Sequence, residues 1–245
     1  MLGKITEIET MGSADGPGVR LVVFLTGCKL RCLYCHNPDS QKADGGREMT
    51  ADEILKNADG VREFLRNGGI TATGGEPLMQ LGFLTELFKK AKTKYDFHTC
   101  LDTSGATYRA ESEYLKKLDT LMLYTDLVML DIKHIDAEKH KELCLADNKN
   151  ILAFAKYLEQ KEKLTWIRHV VVPDITDKEE DLFKLGEFIG TLGNVKALDV
   201  LPYHTMGVSK YKELGIEYPL AGIEALPKEE AVKAKEIILK GIKHR

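Results

Sequence analysis

Cys28, Cys32 and Cys35 fall within eight residues, in the order Cys28-Lys-Leu-Arg-Cys32-Leu-Tyr-Cys35. Clustered thiolates are ligands for iron–sulfur clusters or zinc. A closed electron-transfer cluster takes four cysteines. Three thiolates hold three irons of a cubic cluster and leave the fourth iron open to a substrate, so this spacing points to chemistry at the cluster. A structural zinc centre is the alternative. Zinc takes four nitrogen or sulfur ligands, so His36 or Cys100 would have to supply the fourth, and the chain has no second Cys-x2-Cys knuckle. A thioredoxin-like redox pair at Cys32 and Cys35 would leave Cys28 unexplained. Cys100 and Cys144 sit in apolar stretches and read as buried, unreactive thiols.

Other chemistry-bearing residues recur where apolar runs end. The runs Leu21–Leu25, Ile70–Thr73, His98–Leu101, Leu127–Leu130, Trp166–Val172 and Ala197–Leu201 are rich in β-formers and mostly lack polar alternation. That pattern predicts parallel strands buried on both faces. They end in Thr26-Gly-Cys28, Thr73-Gly-Gly-Glu-Pro77, Asp102-Thr-Ser-Gly105, Asp131-Ile-Lys133, Arg168-His169 with Pro173 beyond, and Pro202-Tyr-His204. Active sites of parallel α/β folds lie at the carboxyl ends of strands, so these clusters are expected to converge on one mouth. Each also has a plainer reading: Gly74-Gly75 as a turn, Asp102 and Asp131 as helix caps, Lys133 and Arg168 as their ion-pair partners, His204 as a structural histidine. His98, His134, His140, His169 and His244 carry no functional expectation.

Amphipathic helical stripes lie between the runs, built on Ile54/Leu55/Ala58/Val61/Phe64/Leu65, Leu84/Leu87/Phe88/Ala91, Tyr114/Leu115/Leu118/Leu121, Ile151/Phe154/Ala155/Leu158 and Leu182/Leu185/Phe188/Ile189, with a last helix from about Pro227. Thr50-x-x-Glu53 reads as a capping box. A further strand over Gly3–Glu9 alternates better and is expected at a sheet edge. Strand and helix in alternation predict an α/β fold with a parallel sheet, either a full or partial barrel or an open doubly wound sheet, in one domain over residues 1–245.

Composition sets limits. The chain has 245 residues, 43% apolar and 30% charged, with net charge −3 and no long basic run. Nucleic acid is therefore not expected as a partner. No stretch approaches the ~20 apolar residues of a membrane span, and the start has no apolar signal core, so a cytoplasmic protein is expected. Five cysteines, three of them crowded together, suit a reducing compartment better than a disulfide framework.

The whole set resembles a known family. Cys28-x3-Cys32-x2-Cys35 is similar to the signature of the radical S-adenosylmethionine enzymes. Asp15-Gly-Pro-Gly-Val-Arg20, Cys32-Leu-Tyr-Cys-His-Asn37, Gly74-Gly-Glu76, Leu130-Asp-Ile-Lys133 and Leu201-Pro-Tyr-His204 resemble the activases of glycyl-radical enzymes of the pyruvate formate-lyase type. Residues 37–69 contain no cysteine, unlike activases with a ferredoxin-like insert.

The resemblance implies a partial (β/α)6 TIM-like barrel. It also implies a [4Fe-4S] cluster on Cys28, Cys32 and Cys35, with Cys100 not a ligand. S-adenosylmethionine would chelate the open iron among Tyr34, His36, Gly74, Gly75, Glu76, Asp131, Ile132, Lys133, Arg168 and His204. A monovalent cation (Na or K) would sit on Asp102, Thr103, Met129 and Asp131, with Asp15, Gly16 and Arg20 receiving the partner. The implied activity, under anaerobic conditions, is cleavage of S-adenosylmethionine by the reduced cluster to methionine and a 5′-deoxyadenosyl radical. That radical would take a hydrogen from a glycine Cα of pyruvate formate-lyase. A flavodoxin or ferredoxin would supply the electron, and a monomer is expected. The alternatives are activation of another glycyl-radical enzyme, a small-molecule radical S-adenosylmethionine enzyme, a cluster-bearing electron carrier and a zinc-stabilised binding module.

Overall fold

The computed structural model describes residues 1–244. The chain divides into two compact units built from interleaved segments, Met1–Lys29 with Asp39–Met129 and Leu30–Pro38 with Leu130–Arg245.

The first unit carries strands β1 (Leu2–Gly12), β2 (Arg20–Leu25), β3 (Arg47–Thr50), β4 (Gly69–Gly74) and β5 (Thr99–Thr103). Its helices are α1 (Ala51–Gly60), α2 (Leu81–Tyr95) and α3 (Ser112–Met122). Strand β6 (Leu127–Asp131) begins in this unit and ends in the other. β2 pairs parallel with β4, and β4 with β5. Leu21, Val22, Val23 and Leu25 are all fully buried. Burial at consecutive positions is why the apolar runs did not alternate. α1 starts where Thr50 and Glu53 form the expected capping box, with Glu53 N–H on Thr50 Oγ1 and Glu53 Oε2 accepting from Thr50 N–H.

β1 is not an edge strand. It pairs antiparallel with β2 on one side and with β3 on the other. The covering strand, Arg47-Glu-Met-Thr50, is four residues long, charged and partly exposed, as edges that resist further pairing usually are. Such a segment gives no apolar signal to read.

The second unit carries α4 (Ala137–Cys144), α5 (Lys149–Gln160), β7 (Thr165–Val171), α6 (Glu179–Ile189), β8 (Val195–Pro202), α7 (Val208–Glu213) and α8 (Lys228–Lys243). β7 and β8 pair parallel. α4 and α7 were not read from the sequence: α4 has few apolar residues and is started by Asp136, whose carboxylate accepts from Glu138 and Lys139 N–H. α6 and α8 cross at small residues. A Cβ on Gly186 would stand 2.1 Å from Ile238 O and 2.9 Å from Gly241 Cα. Because the obstacle is backbone, it cannot rotate away. Gly186→Val is expected to separate the two helices and cost about 3 kcal/mol or more, read as a lowered Tm by circular dichroism. An unchanged Tm would mean the crossing is not tight.

Candidate cofactor site

In the first unit the polar strand ends form one buried network around Glu76. β4 ends at Gly74, and Gly75 N–H donates to Leu25 O at 2.8 Å while Glu76 N–H donates to Gly27 O at 2.7 Å. A Cβ on Gly75 would lie 2.3 Å from Gly27 O. Gly75 is therefore glycine so that this turn can seat against the backbone entering Cys28. The Glu76 side chain is 0% exposed. Its Oε1 accepts from Thr103 Oγ1 at 2.5 Å and Leu78 N–H at 3.1 Å, and its Oε2 accepts from Ser104 Oγ at 2.5 Å and Ser104 N–H at 3.1 Å. Burial pushes the Glu76 carboxyl above the ordinary glutamate range, and the donors oppose that shift. Beside it, Thr73 Oγ1 donates to Asp102 Oδ2 at 2.9 Å. Met129 is buried in β6.

The Asp15–Arg20 loop is fixed from beneath. Arg20 is fully buried and donates to Thr71 Oγ1 at 2.5 Å, Pro17 O at 2.9 Å and Ile70 O at 2.9 Å. Thr71 Oγ1 in turn donates to Asp15 O at 2.6 Å. Arg20 is thus a pin inside the unit rather than an exposed contact, and Gly16 is buried on its aliphatic stem, an added Cβ meeting Arg20 Cδ at 3.1 Å. Asp15 is half-buried.

In the second unit the segment bearing Cys32 and Cys35 lies along the end of α4. Arg31 N–H donates to Cys144 O at 2.9 Å and Leu33 N–H to Leu143 O at 3.0 Å, while Cys35 N–H closes a turn onto Cys32 O at 3.1 Å. His36 and His204 stack with ring centroids 4.0 Å apart and planes 8° from parallel. Burial first, then His204, pulls His36 down to about 4, so it is neutral near pH 7. Lys133 Nζ pairs with Asp131 Oδ2 at 3.0 Å and lies 5.6 Å from the centre of the Tyr34 ring. Burial opposes the Lys133 charge, but Asp131 and its neighbours hold it above the ordinary lysine range. Ile132 N–H donates to Arg168 O at 3.0 Å, and Arg168 Nε pairs with Asp199 Oδ2 at 3.1 Å. Asp199 lies inside β8 with no local motif, and sequence reading missed it; Ser104 was read only as part of the Asp102–Gly105 strand end.

These donor sets suit the two implied groups. Cys28, Cys32 and Cys35 form no disulfide and are of intermediate exposure, whereas Cys100 and Cys144 are buried. Buried Tyr34 Oη and His204 Nδ1 have no hydrogen-bond partner among the described residues, as expected of atoms whose partner is a ligand.

His134, His140 and His169 belong to the core, at 1%, 0% and 3% exposure. Burial lowers all three below their ordinary 6.5. The unfolded chain then takes up protons before the folded one, so their contribution is present above about 6.5 and lost as pH falls below it. Urea midpoints are expected to fall through that acid window, and to fall less steeply in His169→Gln, which cannot titrate. An equal slope in the variant would contradict this.

The comparisons with known proteins agree with this chemistry. The model of the Radical SAM superfamily matches residues 22–186. The chain is 51% identical over 241 residues to the pyruvate formate-lyase-activating enzyme of Listeria monocytogenes, covering 98% of this chain and 96% of that one. The chain belongs to the radical SAM superfamily, among the pyruvate formate-lyase-activating enzymes. The enzyme of that name from Streptococcus mutans is 48% identical, with 96% of this chain and 90% of that one covered. Among solved structures, a radical SAM methyltransferase from Sphaerobacter thermophilus matches with a TM-score of 0.64 at 15% identity, over 91% of this chain and 64% of that one. The α/β fold with parallel strands expected from the strand–helix alternation is the fold found, and it is the radical SAM fold that the resemblance implied.

Proposed function

We infer that the chain activates pyruvate formate-lyase by generating a glycyl radical on it. One observation carries this reading: a Cys28/Cys32/Cys35 triplet of intermediate exposure, outside any disulfide, in a chain 51% identical to a pyruvate formate-lyase-activating enzyme over almost its whole length. When bound, a [4Fe-4S] cluster and S-adenosylmethionine supply a one-electron cleavage to methionine and a 5′-deoxyadenosyl radical, which takes the hydrogen from the partner's glycine Cα.

The chain's own residues then bind, orient and exclude water. Cys28, Cys32 and Cys35 are the proposed cluster ligands. The neighbouring Cys144 thiol and then burial raise the Cys32 thiol well above its ordinary range, and the charge of Lys133 opposes that shift. Proposed contacts to S-adenosylmethionine are Gly74, Gly75 and Glu76 in the first unit and Tyr34, His36, Asp131, Ile132, Lys133, Arg168 and His204 in the second. The cations Lys133 and Arg168 suit a carboxylate, and the stacked His36/His204 rings suit a flat heterocycle. Asp102, Thr103, Asp131 and the backbone carbonyl of Met129 are proposed oxygen donors to a monovalent cation, a hard ion that favours such ligands. The family match draws on both units, which supports residues 1–245 acting as one radical SAM domain. A flavodoxin or ferredoxin as reductant, a monomeric state and a cytoplasmic location complete the reading. No helix among the described residues is long and apolar enough to cross a membrane.

The Asp15–Arg20 loop is the proposed seat of the partner's glycine-bearing strand, because Arg20 holds its backbone in one shape. Asp15→Ala is expected to weaken activation at limiting pyruvate formate-lyase while leaving cluster content unchanged. Wild-type dependence on partner concentration would sink the assignment.

The reading as a whole is tested by incubating the anaerobically reconstituted, reduced protein with S-adenosylmethionine and measuring 5′-deoxyadenosine with and without pyruvate formate-lyase. Formation coupled to the partner supports it. Absence of cleavage with a fully loaded cluster overturns it.

A further inference from the structure

The turn that follows Cys35 is gripped by α7. Lys210 Nζ donates to Asn37 Oδ1 at 3.0 Å, and both residues are half-buried. Gly207, at the head of α7, seats on the same turn. A Cβ there would stand 2.9 Å from His36 Cα, 3.2 Å from His36 Cδ2 and 3.4 Å from Cys35 O. His36 Nε2 lies 3.3 Å from His204 O, and the two rings stack. The helix is itself anchored through Tyr211, which is buried and meets the Tyr218 ring edge-on with centroids 4.9 Å apart. Tyr218 Oη shares a 2.8 Å hydrogen bond with Tyr203 Oη, just beyond the end of β8.

His36 sits between Cys35 and Asn37, so the direction of its ring follows from how that turn is held. A ring stack alone holds its partners weakly. An ammonium donating to an amide oxygen is directional and stronger than a neutral bond. We propose that Lys210 is a positioning residue for S-adenosylmethionine: by holding Asn37 it fixes the turn that carries His36 and keeps that ring stacked on His204. Gly207 makes the approach possible, because a side chain there would push α7 off His36. The inference deepens the cofactor reading above and rests on it.

The test measures binding of S-adenosylmethionine by calorimetry to the anaerobically reconstituted protein kept oxidised, so that no cleavage follows. Lys210→Met keeps the aliphatic stem without the donor, Asn37→Leu keeps the shape without the acceptor, and Lys210→Arg keeps a cationic donor. Full iron content is expected in every variant. Kd is expected to rise about tenfold in Lys210→Met and in Asn37→Leu, the worth of one hydrogen bond from a charged donor. It is expected to rise no further in the double variant, because both changes remove the same contact. Lys210→Arg is expected to return toward wild type. Wild-type affinity in Lys210→Met, with or without a lower Tm, overturns the inference and leaves the contact a prop for α7. Additive losses in the double variant overturn it too, as does loss of iron from Lys210→Met, which would make the contact a support for Cys35. If Lys210→Met does not fold, Asn37→Leu against Lys210→Arg decides by the same readings. A fully loaded wild type that binds no S-adenosylmethionine would instead overturn the cofactor reading, and this inference with it.

Discussion

Alanine at Cys28, Cys32 or Cys35 is expected to abolish cluster loading and radical formation, and alanine at Cys100 to spare both. Three thiolates are the minimum that hold a cubic cluster with one open iron, and the other two cysteines, Cys100 and Cys144, are buried. Cys100 is 0% exposed within β5, a strand buried along its whole length. Its replacement costs packing of about 1 kcal/mol and no ligand. Iron and sulfide content after anaerobic reconstitution, with the visible absorbance of the cluster, reads the result directly. Iron retained in a triplet variant, or lost only in Cys100→Ala, would contradict the ligand set.

The second large effect is at Glu76. Its carboxylate accepts from Thr103 Oγ1, Leu78 N–H, Ser104 Oγ and Ser104 N–H, all in a site closed to water. Glu76→Ala leaves those donors buried without a partner, at about 1–3 kcal/mol for each one not re-satisfied. A loss of roughly 3–5 kcal/mol is expected, large against the usual margin of a folded domain. The same change frees the turn that seats Gly75 on Gly27 O, so weaker binding of S-adenosylmethionine is expected as well. Chemical denaturation of the cluster-free protein separates the two, because it reports the network alone. A variant as stable as wild type would show that the donors find other partners.

The buried strands were legible because β2, β4, β5 and β6 need apolar residues at consecutive positions, and such runs stand out against a charged sequence. β3, α4 and α7 were not, because each is short and largely polar and takes its place from its neighbours. The strand-end motifs were legible as residue types: glycines before a glutamate, an aspartate before Thr-Ser-Gly. What they do locally was not. Nothing in Gly74-Gly-Glu76 says that its carboxylate is closed off by Thr103 and Ser104 from another strand end. Arg20 shows the same limit from the other side. A charged residue in a glycine- and proline-rich loop suggests exposure, since arginine is rarely buried, yet carbonyls from Pro17 and Ile70 and the hydroxyl of Thr71 satisfy it inside the unit. Cys144 reads as a buried thiol and is buried at the end of α4, but nothing in its spacing says that Arg31 and Leu33 lie along that helix end. Spacing along the chain carries the chemistry of the cysteine loop, and only the fold supplies its surroundings.

The most direct test of the central claim is electron paramagnetic resonance on pyruvate formate-lyase itself. The reconstituted protein is reduced without oxygen and mixed with S-adenosylmethionine and the partner enzyme. A carbon-centred glycyl signal on the partner that requires this protein is the expected result. Cleavage of S-adenosylmethionine with no signal on the partner would contradict the assignment and point to a different substrate for the same radical chemistry.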